Sequence, residues 1–352
     1  MSLPATPMGA EAIEEWDELA DRAESTAPWL RPGWILPWWR AFGRGALVIV
    51  SVRRQGRLSA LVPLERRRTA FASTSNYHTP SFGILAEDAA GAREVALQIV
   101  ARRARRLHIA FVSAATLSAS DLPATAKTAG YRVLERTLEL SPYVRTDGAW
   151  ETYREGLDGR MLRELRRRRR KLESRGRLEL IVEDGTSGLG KLLDEGFRIE
   201  AAAWKGRNRT AIISDPETER FYRDVADWSS RRGSLRLAFL RLDGEPLAFD
   251  FAIEEQGSHH LLKTGYDPAY RALAPATLLR YEMIARAFEL RLRSYEFGGA
   301  NEQWKLQWSD RTRSRLLLQA FAHTPSGLID WVAWTYGRAV AKRVLALAGR
   351  GR

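Results

Sequence analysis

The sequence contains no cysteine, which excludes disulfide bonds, thiolate nucleophiles and cysteine-based zinc sites. It also lacks an apolar run of the roughly 20 residues that a membrane-spanning helix needs. The first residues show neither the charged region nor the apolar region of a secretory signal peptide. Its few histidines do not stand with Asp or Glu at metal-ligand spacing. These absences predict a soluble, cytoplasmic protein without a metal site.

Lysine is scarce as well, so arginine supplies most of the net charge of +13. A basic protein suits a nucleic acid, an anionic membrane surface or an anionic cofactor such as coenzyme A. Because arginine is spread along the whole chain, a GC-rich genome would produce the same composition without any such partner. The charge therefore indicates three kinds of partner and selects none of them.

With 352 residues the chain is long enough for two domains, and its periodic segments predict an α/β (α+β) fold. Residues 46–64 read as a strand pair with a turn at Gln55-Gly56, followed by alternating helices and strands. Residues 235–266 read as an antiparallel meander whose first turn is Asp243-Gly244. The predicted domains are 1–145 and 146–325, each with a mixed, mainly antiparallel sheet flanked by helices.

Residues 326–352 form the last predicted segment, an amphipathic helix with apolar and basic sides. Two interpretations remain open for it. The helix either contacts an anionic membrane surface or docks on its own domain, which is the more common arrangement.

Residues 259–279 are the most informative part of the chain. A strand ends at Tyr266, a loop follows, and a long helix opens with Pro275 in its first turn. Such a helix start presents unbonded N–H groups and a positive dipole end, which suits a pyrophosphate.

This loop, Arg271-Ala-Leu-Ala274-Pro-Ala276, resembles the pyrophosphate loop of the GNAT superfamily, with alanine at both glycine positions. Four other segments resemble one branch of that superfamily, the cellulose-biosynthesis-associated (CelD-type) acetyltransferases, which are related to FemAB aminoacyltransferases. They are Glu200-Ala-Ala-Ala-Trp204-Lys205-Gly206, the hairpin 240–248, Phe297-Gly-Gly with Trp304-Lys305-x-x-Trp308, and Asn76-Tyr-His78-Thr-Pro80. The resemblance implies two tandem GNAT-like domains, with an acyl-CoA donor bound by the second at Arg271, Ala274, Pro275, Ala276 and Thr277.

Three residues are candidate catalytic groups. Glu200 shares a helix face with Trp204, and a carboxylate in an apolar cleft is a candidate general base. Asp250 interrupts an apolar strand and by alternation shares a face with small residues, so it could line the cleft. Lys305 lies in an aromatic setting where it could balance developing negative charge. Each also has a structural interpretation: a surface ion pair, a solvent-facing aspartate, or a lysine stem that covers tryptophan.

The candidate acceptor-binding residues surround the same segments. They are His78, Trp204, Lys205, Lys263 and Tyr266. A cross-strand ion pair at Lys263 and a structural role for the isolated loop residue His78 are equally compatible with the pattern.

The run Arg163–Lys171 has the highest charge density, and Leu162, Leu165 and Leu172 give it one apolar edge. It predicts a helix with a basic face, either merely solvated or holding a phosphate-bearing substrate or RNA. No aromatic residues interleave it, which argues against a single-strand stacking platform.

Three functions follow. The first is transfer of an acyl group, acetyl being the simplest, from acyl-CoA to an amine or hydroxyl of a polar acceptor such as a saccharide or envelope precursor. The second is a FemAB-like transfer that depends on aminoacyl-tRNA. The third is a non-catalytic scaffold in envelope polysaccharide synthesis, which the two loop alanines keep open.

Overall fold

The computed structural model describes residues 9–23, 27–202 and 210–335. The chain divides into two compact units, each discontinuous in sequence. Unit 1 comprises Met1–Thr26, Gly43–Leu138 and Ser314–Arg352, and unit 2 comprises Ala27–Phe42 and Glu139–Arg313. The continuous ranges 1–145 and 146–325 differ from this division at residues 27–42 and 139–145, which belong to unit 2, and at residues 314–325, which belong to unit 1. Hydrophobic periodicity identifies strands and helices but does not record which sheet each one joins.

The helices and strands are numbered in chain order. The helices are α1 Ala10–Arg22, α2 Pro32–Phe42, α3 Ala89–Ala101, α4 Leu117–Thr128, α5 Trp150–Glu155, α6 Gly159–Glu173, α7 Leu189–Ala202, α8 Pro216–Arg231, α9 Pro275–Glu289 and α10 Gln303–Leu306. The strands are β1 Ala46–Arg54, β2 Arg57–Arg67, β3 Ala70–Ser73, β4 Leu85–Ala86, β5 Arg106–Ser113, β6 Arg132–Arg145, β7 Leu178–Glu183, β8 Leu235–Leu242, β9 Glu245–Glu255, β10 Ser258–Tyr266, β11 Ser294–Glu296 and β12 Thr312–Phe321.

Unit 1 is built on strands in the order β1-β2-β3-β5-β12, with β4 also paired to β2. All pairs are antiparallel except β3 with β5. The turn Gln55-Gly56 has positive φ at both residues, as the sequence predicts for a two-residue hairpin. Helices α3 and α4 pack on the sheet through residues such as Val95, Ile99 and Leu122. Residues 325–335 are helical and follow β12, while the rest of the predicted C-terminal helix lies outside the described residues.

Unit 2 has the strand order β6-β11-β10-β9-β8-β7, antiparallel except for β10 with β11. The predicted meander and its Asp243-Gly244 turn are confirmed. The sheet has an apolar cluster on the side of Ala248 and Leu261, where α9 packs. On the opposite side α8 places Tyr222 edge-on to Phe251, with ring centroids 5.5 Å apart.

The aromatic stretch 27–42 belongs to unit 2. Trp34 stands edge-on to Phe221, with ring centroids 5.1 Å apart. Helix α2 also lies close to α8, since a side chain at Gly33 would overlap the indole of Trp228 at 2.0 Å. Arg31 pairs with Glu255 at the start of this segment. Aromatic burial and one buried ion pair therefore fix an N-terminal segment to the second unit.

Candidate active site

Strand β10 parts from its neighbour β11 in the middle of unit 2. The two strands pair in parallel only from Ser258 to His260. Strand β11 ends at Glu296, and the next N–H, that of Phe297, donates to Pro142 O at 3.2 Å. On its other side β10 carries a register shift between Leu261 and Lys263 in its pairing with β9. A wedge therefore opens beside the second half of β10, next to an irregular stretch of backbone.

The loop after β10 leads directly into α9. Residues Pro268–Leu273 form a 3₁₀ turn that Asp267 caps by accepting the Ala269 N–H at 2.9 Å. Ala274 adopts the left-handed conformation (φ 45°, ψ 56°) and precedes the first helical residue, Pro275. An alanine in this conformation costs roughly 1 kcal/mol, so the loop keeps a turn that glycine would adopt without strain.

The five predicted donor-binding residues lie together at this helix start. The N–H groups of Thr277 and Leu278 bond the carbonyl of Ala274. The N–H of Ala276 has no acceptor in the described part of the chain, and Ala274 offers no side chain to cap it. Arg271 is exposed in the turn just before. The positive end of a 15-residue helix is thus combined with an exposed guanidinium.

Helix α6 contacts the 3₁₀ turn. Its buried residues are Leu162, Leu165 and Leu172, which confirms the predicted apolar edge. Three exposed arginines spaced i, i+3 and i+7 follow one stripe of the helix and have no carboxylate partner among the described residues. We call this the α6 stripe: Arg163, Arg166 and Arg170.

Glu200 lies where α7 approaches β10. The side chain is fully buried and accepts the N–H of Ile212 at 3.0 Å. Gly265 permits this approach, because a Cβ there would lie 2.4 Å from the Cα of Glu200. This burial is incompatible with the alternative interpretation of Glu200 as a surface glutamate.

Tyr222 lies near both Glu200 and Lys263 on this face of the sheet. The ammonium of Lys263 lies 5.2 Å from the centre of the Tyr222 ring. Burial, with the nearby charge of Glu200, raises the pKa of Tyr222 well above its ordinary value. The sequence singled out Glu200 and Lys263 but not Tyr222, since a tyrosine on the apolar side of an amphipathic helix reads as an ordinary core residue.

Asp250 lies on the opposite face, and the structure corrects its predicted placement at the cleft lining. It is fully buried and receives two hydrogen bonds from Arg280, at 2.5 and 2.8 Å. Burial opposes the charge of Arg280, but pairing with Asp250 outweighs it and raises the pKa of the guanidinium. Arg280 also donates to Thr264 Oγ1 at 3.1 Å and to the hydroxyl of Tyr295. This geometry makes Asp250 an anchor for Arg280 rather than a proton acceptor.

A second buried charge cluster stands beside the first. His259 is stacked on Tyr295 with ring centroids 4.6 Å apart, and its Nδ1 lies 3.0 Å from Glu254. Burial lowers the pKa of His259 despite that carboxylate. For Glu254, burial works in the other direction, but His259, Arg286 and Arg236 outweigh it and lower the pKa to about 2.

Lys305 organises the chain after β11. Its Nζ donates to Gly298 O at 2.7 Å and to Ala300 O at 2.9 Å, and it lies 2.9 Å from Glu302 Oε2. Gly298 and Gly299 both have positive φ. The buried ammonium thus holds a tight glycine turn by its carbonyls, next to the ring of Trp304.

The remaining predicted residues are dispersed. Tyr266 is half-buried at the end of β10, and His78 is half-buried in a unit 1 loop where its N–H donates to Asn76 Oδ1 at 3.0 Å. Trp204 and Lys205 lie outside the described residues. Within the described ranges, no cluster of His, Asp and Glu could hold a metal ion, and no helix is long and apolar enough to cross a bilayer.

Residues 159–306 match the family described as Acetyltransferase (GNAT) domain. They form a GNAT acetyltransferase domain. The match includes the basic helix, the meander, the wedge and the helix start at Pro275, so the candidate site lies inside it. The segment 159–306 is therefore a domain of the GNAT acyltransferase type, as the sequence motifs predicted. The narrower resemblance to the CelD-type branch stays a prediction.

Three solved structures share the fold over nearly their whole length. FemX is 12% identical with a TM-score of 0.57, covering 92% of this chain and 97% of FemX. L-PGS from Bacillus licheniformis is 12% identical with a TM-score of 0.57, covering 95% and 97%. A C-terminal domain (DUF2156) assigned to a lysylphosphatidylglycerol synthetase of Agrobacterium fabrum is 15% identical with a TM-score of 0.55, covering 92% and 96%. No curated protein sequence matches the chain.

Proposed function

We propose that the protein transfers an acyl group from acyl-CoA to an amine or hydroxyl of a polar acceptor, such as a saccharide or envelope precursor. The observation that carries this proposal is the helix start at Ala274–Thr277, placed at the end of the strand that borders the wedge. The unbonded N–H of Ala276 and the helix dipole at this point suit the pyrophosphate of coenzyme A. Arg271 adds a charge next to the same phosphates.

The thioester would lie in the wedge beside β10, where backbone N–H groups of the irregular strand polarise its carbonyl. The acceptor nitrogen or oxygen attacks the carbonyl carbon. The new C–N or C–O bond forms, the C–S bond breaks, and the leaving thiolate of coenzyme A takes up a proton. Binding both reactants in one cleft supplies much of the rate by orientation alone.

Glu200 is the proposed proton acceptor. It is buried beside β10 and Tyr222, so it would take the acceptor's proton through a water molecule. Lys263, on the same face, would balance negative charge as the carbonyl oxygen becomes an oxyanion. Lys305 would keep the Gly298–Ala300 turn in place.

A second candidate donor, aminoacyl-tRNA, is favoured by the α6 stripe. Its three exposed guanidiniums lie on the helix that contacts the 3₁₀ turn, and cations in such a row bind a phosphate backbone. The structural likeness to FemX and L-PGS fits this candidate as well.

Calorimetric titration with acetyl-CoA and with desulfo-CoA tests the donor. We expect micromolar binding of both, abolished by Ala276→Trp, which fills the space above the helix start. Ala90→Trp is the matched control, because Ala90 is an exposed first-turn alanine of α3 in unit 1. A different result would favour aminoacyl-tRNA as the donor. In that case neither coenzyme A ligand binds, the wild type retains total RNA, and reversing the charges of the α6 stripe releases the RNA.

Once a donor and acceptor are in hand, Glu200→Gln tests the base. Glutamine keeps an acceptor for the Ile212 N–H, so we expect kcat to fall about 10² to 10⁴-fold with unchanged donor affinity. Glu195→Gln, which changes a carboxylate of the same helix paired with Arg241, should keep the wild-type kcat. Equal rates for Glu200→Gln and the wild type would exclude Glu200 as the base.

A further inference from the structure

Three connections that carry basic or apolar side chains lie at one end of the unit 1 sheet. In the strand register, Arg67 lies opposite Ala70, Ala70 opposite Arg106, and Arg106 opposite Phe321. The turn between β2 and β3, the turn before β5, and the segment that follows β12 therefore emerge at the same end. None of these residues belongs to the acyltransfer site, which lies in unit 2.

The two turns expose arginine. Arg66, Arg68 and Arg103 are exposed and have no carboxylate partner in the described part of the chain. Arg68 and Arg103 occupy left-handed positions, with φ of 51° and 49°, that glycine or asparagine usually fills. Each costs roughly 1 kcal/mol relative to glycine. The sequence thus places cations at two turn positions where backbone strain disfavours them.

The helix at residues 325–335 is fixed beside these turns. Asp330 receives two hydrogen bonds from Arg105, at 2.7 and 2.6 Å. Trp334 stands edge-on to His108, with ring centroids 5.7 Å apart, and the guanidinium of Arg132 lies 4.8 Å from the ring centre of Trp331. One side of the helix is therefore docked on unit 1, as one of the two sequence-based interpretations proposed.

The other side of this helix remains apolar and exposed. Leu328 is 42% exposed, Ile329 67% and Val332 42%. Their i, i+1 and i+4 spacing keeps them together on one side. The sequence after Asp330 contains no acidic residue but contains Arg338, Lys342, Arg343, Arg350 and Arg352. The exposed aliphatic side chains thus precede a stretch of sequence that carries basic and no acidic residues.

We propose that this end of unit 1 docks on the surface of an anionic phospholipid bilayer. The three aliphatic side chains would enter the boundary between headgroups and acyl chains, where apolar surface leaves water. Arg66, Arg68 and Arg103 would meet lipid phosphates, and each such charge strengthens binding to an anionic leaflet. The phosphate backbone of RNA would leave the exposed aliphatic side chains without an apolar partner. The combination of exposed arginines with exposed aliphatic side chains therefore favours a membrane over RNA. The proposal does not rest on the identity of the acyl donor.

Sedimentation with vesicles tests it on the full chain. We expect binding to vesicles of phosphatidylcholine mixed with phosphatidylglycerol, weaker binding at high salt, and little binding to phosphatidylcholine alone. Ile329→Glu combined with Val332→Glu should weaken partitioning at least about tenfold, and so should Arg66→Glu, Arg68→Glu and Arg103→Glu together. Ile329→Ser with Val332→Ser, which removes the aliphatic groups without adding negative charge, should also lower partitioning.

Matched controls carry equal changes elsewhere. Leu290→Glu alters a leucine of unit 2 that is 50% exposed, and Arg163→Glu with Arg166→Glu and Arg170→Glu reverses three arginines on α6. Both should bind vesicles like the wild type. The proposal is overturned if the wild type ignores anionic vesicles, if reversal of the α6 stripe releases it equally, or if the Ile329 and Val332 changes only convert a dimer to a monomer in sedimentation velocity.

Discussion

The two units place their charges differently. In unit 2, the sheet and its helices bury Arg31, Glu200, Asp250, His259, Arg280 and Lys305. In unit 1, the described core is apolar apart from Glu65 and Arg315 and a few hydroxyl and amide side chains, and Arg66, Arg68 and Arg103 lie at one exposed end of the sheet. Similar arrangements of strands and helices thus differ in where their charged side chains lie.

Burial explains why the difference matters. A charge removed from water is costly unless it is paired and hydrogen-bonded, so a core that retains several of them is organised around them. Groups with a function tend to occupy such settings, although structural ion pairs do so too. Arg66, Arg68 and Arg103 of unit 1 remain in water, so they carry no cost of desolvation and are available to an external anion.

The largest expected effect on stability comes from breaking the buried ion pair of unit 2. Asp250→Ala leaves Arg280 buried without its carboxylate, so we expect the free energy of unfolding of unit 2 to fall by about 3–5 kcal/mol. Urea-induced unfolding followed by tryptophan fluorescence measures this. Replacing both partners, Asp250→Ala with Arg280→Met, should restore much of the loss, because no charge is left unpaired.

Glu65→Ala is the comparison in unit 1. Glu65 is fully buried and accepts the Arg44 N–H at 2.8 Å, but its ionic partner Arg67 is 55% exposed and stays solvated. We therefore expect a smaller loss, about 1–3 kcal/mol. If the Asp250 and Glu65 variants lose equal stability, the contrast between the two cores does not hold.

The pH dependence of the unfolding free energy also distinguishes the buried charges of unit 2 from the exposed ones of unit 1. The folded-state pKa of Glu254 is about 2, below its ordinary value of 4.5, so its contribution to stability is complete above about pH 4.5. That contribution is lost as the pH falls toward about 2, and it amounts to about 3 kcal/mol. Glu254→Gln should remove this part of the acid-induced loss of unfolding free energy.

The control for that series is Glu94→Gln, since Glu94 is an exposed carboxylate of unit 1 that lies 3.9 Å from Arg54. Its variant should follow the wild-type curve. An unchanged acid dependence in Glu254→Gln would mean that the buried cluster does not set the acid stability of unit 2.

Much of the secondary structure could be predicted from periodicity. The β8–β10 meander and the start of α9 lie within a residue of their predicted bounds, and so does α8, for which periodicity predicts residues 216–231, because caps and tight turns mark their ends. Periodicity also predicts a helix over residues 91–107, which is too long, because the chain leaves α3 after Ala101 and turns through Arg103 at positive φ. A left-handed arginine carries no sequence signal, unlike a glycine.

The candidate site could be predicted only where it is local in sequence. Arg271 to Thr277 is one short segment, and the predicted helix start at Pro275 is confirmed, while its role in donor binding stays a prediction. The pairing of Asp250 with Arg280, and the position of Tyr222 between Glu200 and Lys263, join residues far apart in the chain. Arg280 interrupts an apolar face of α9 between Leu279 and Met283. Because a buried guanidinium needs an ionic partner, this position is a sequence signal for a buried carboxylate nearby.

The smallest expected effect tests whether strain in the donor loop is merely tolerated. Ala274→Gly removes the clash of a Cβ at φ 45°, so we expect unfolding free energy to rise by about 1 kcal/mol with unchanged affinity for desulfo-CoA. Arg103→Gly in unit 1 should stabilise similarly, but it should weaken binding to anionic vesicles. Ala272→Gly is the control, because Ala272 lies within the 3₁₀ turn, where glycine should lower stability. A rise in donor affinity for Ala274→Gly would show that the alanine holds the loop away from its binding geometry, and that the strain in unit 2 limits function rather than only stability.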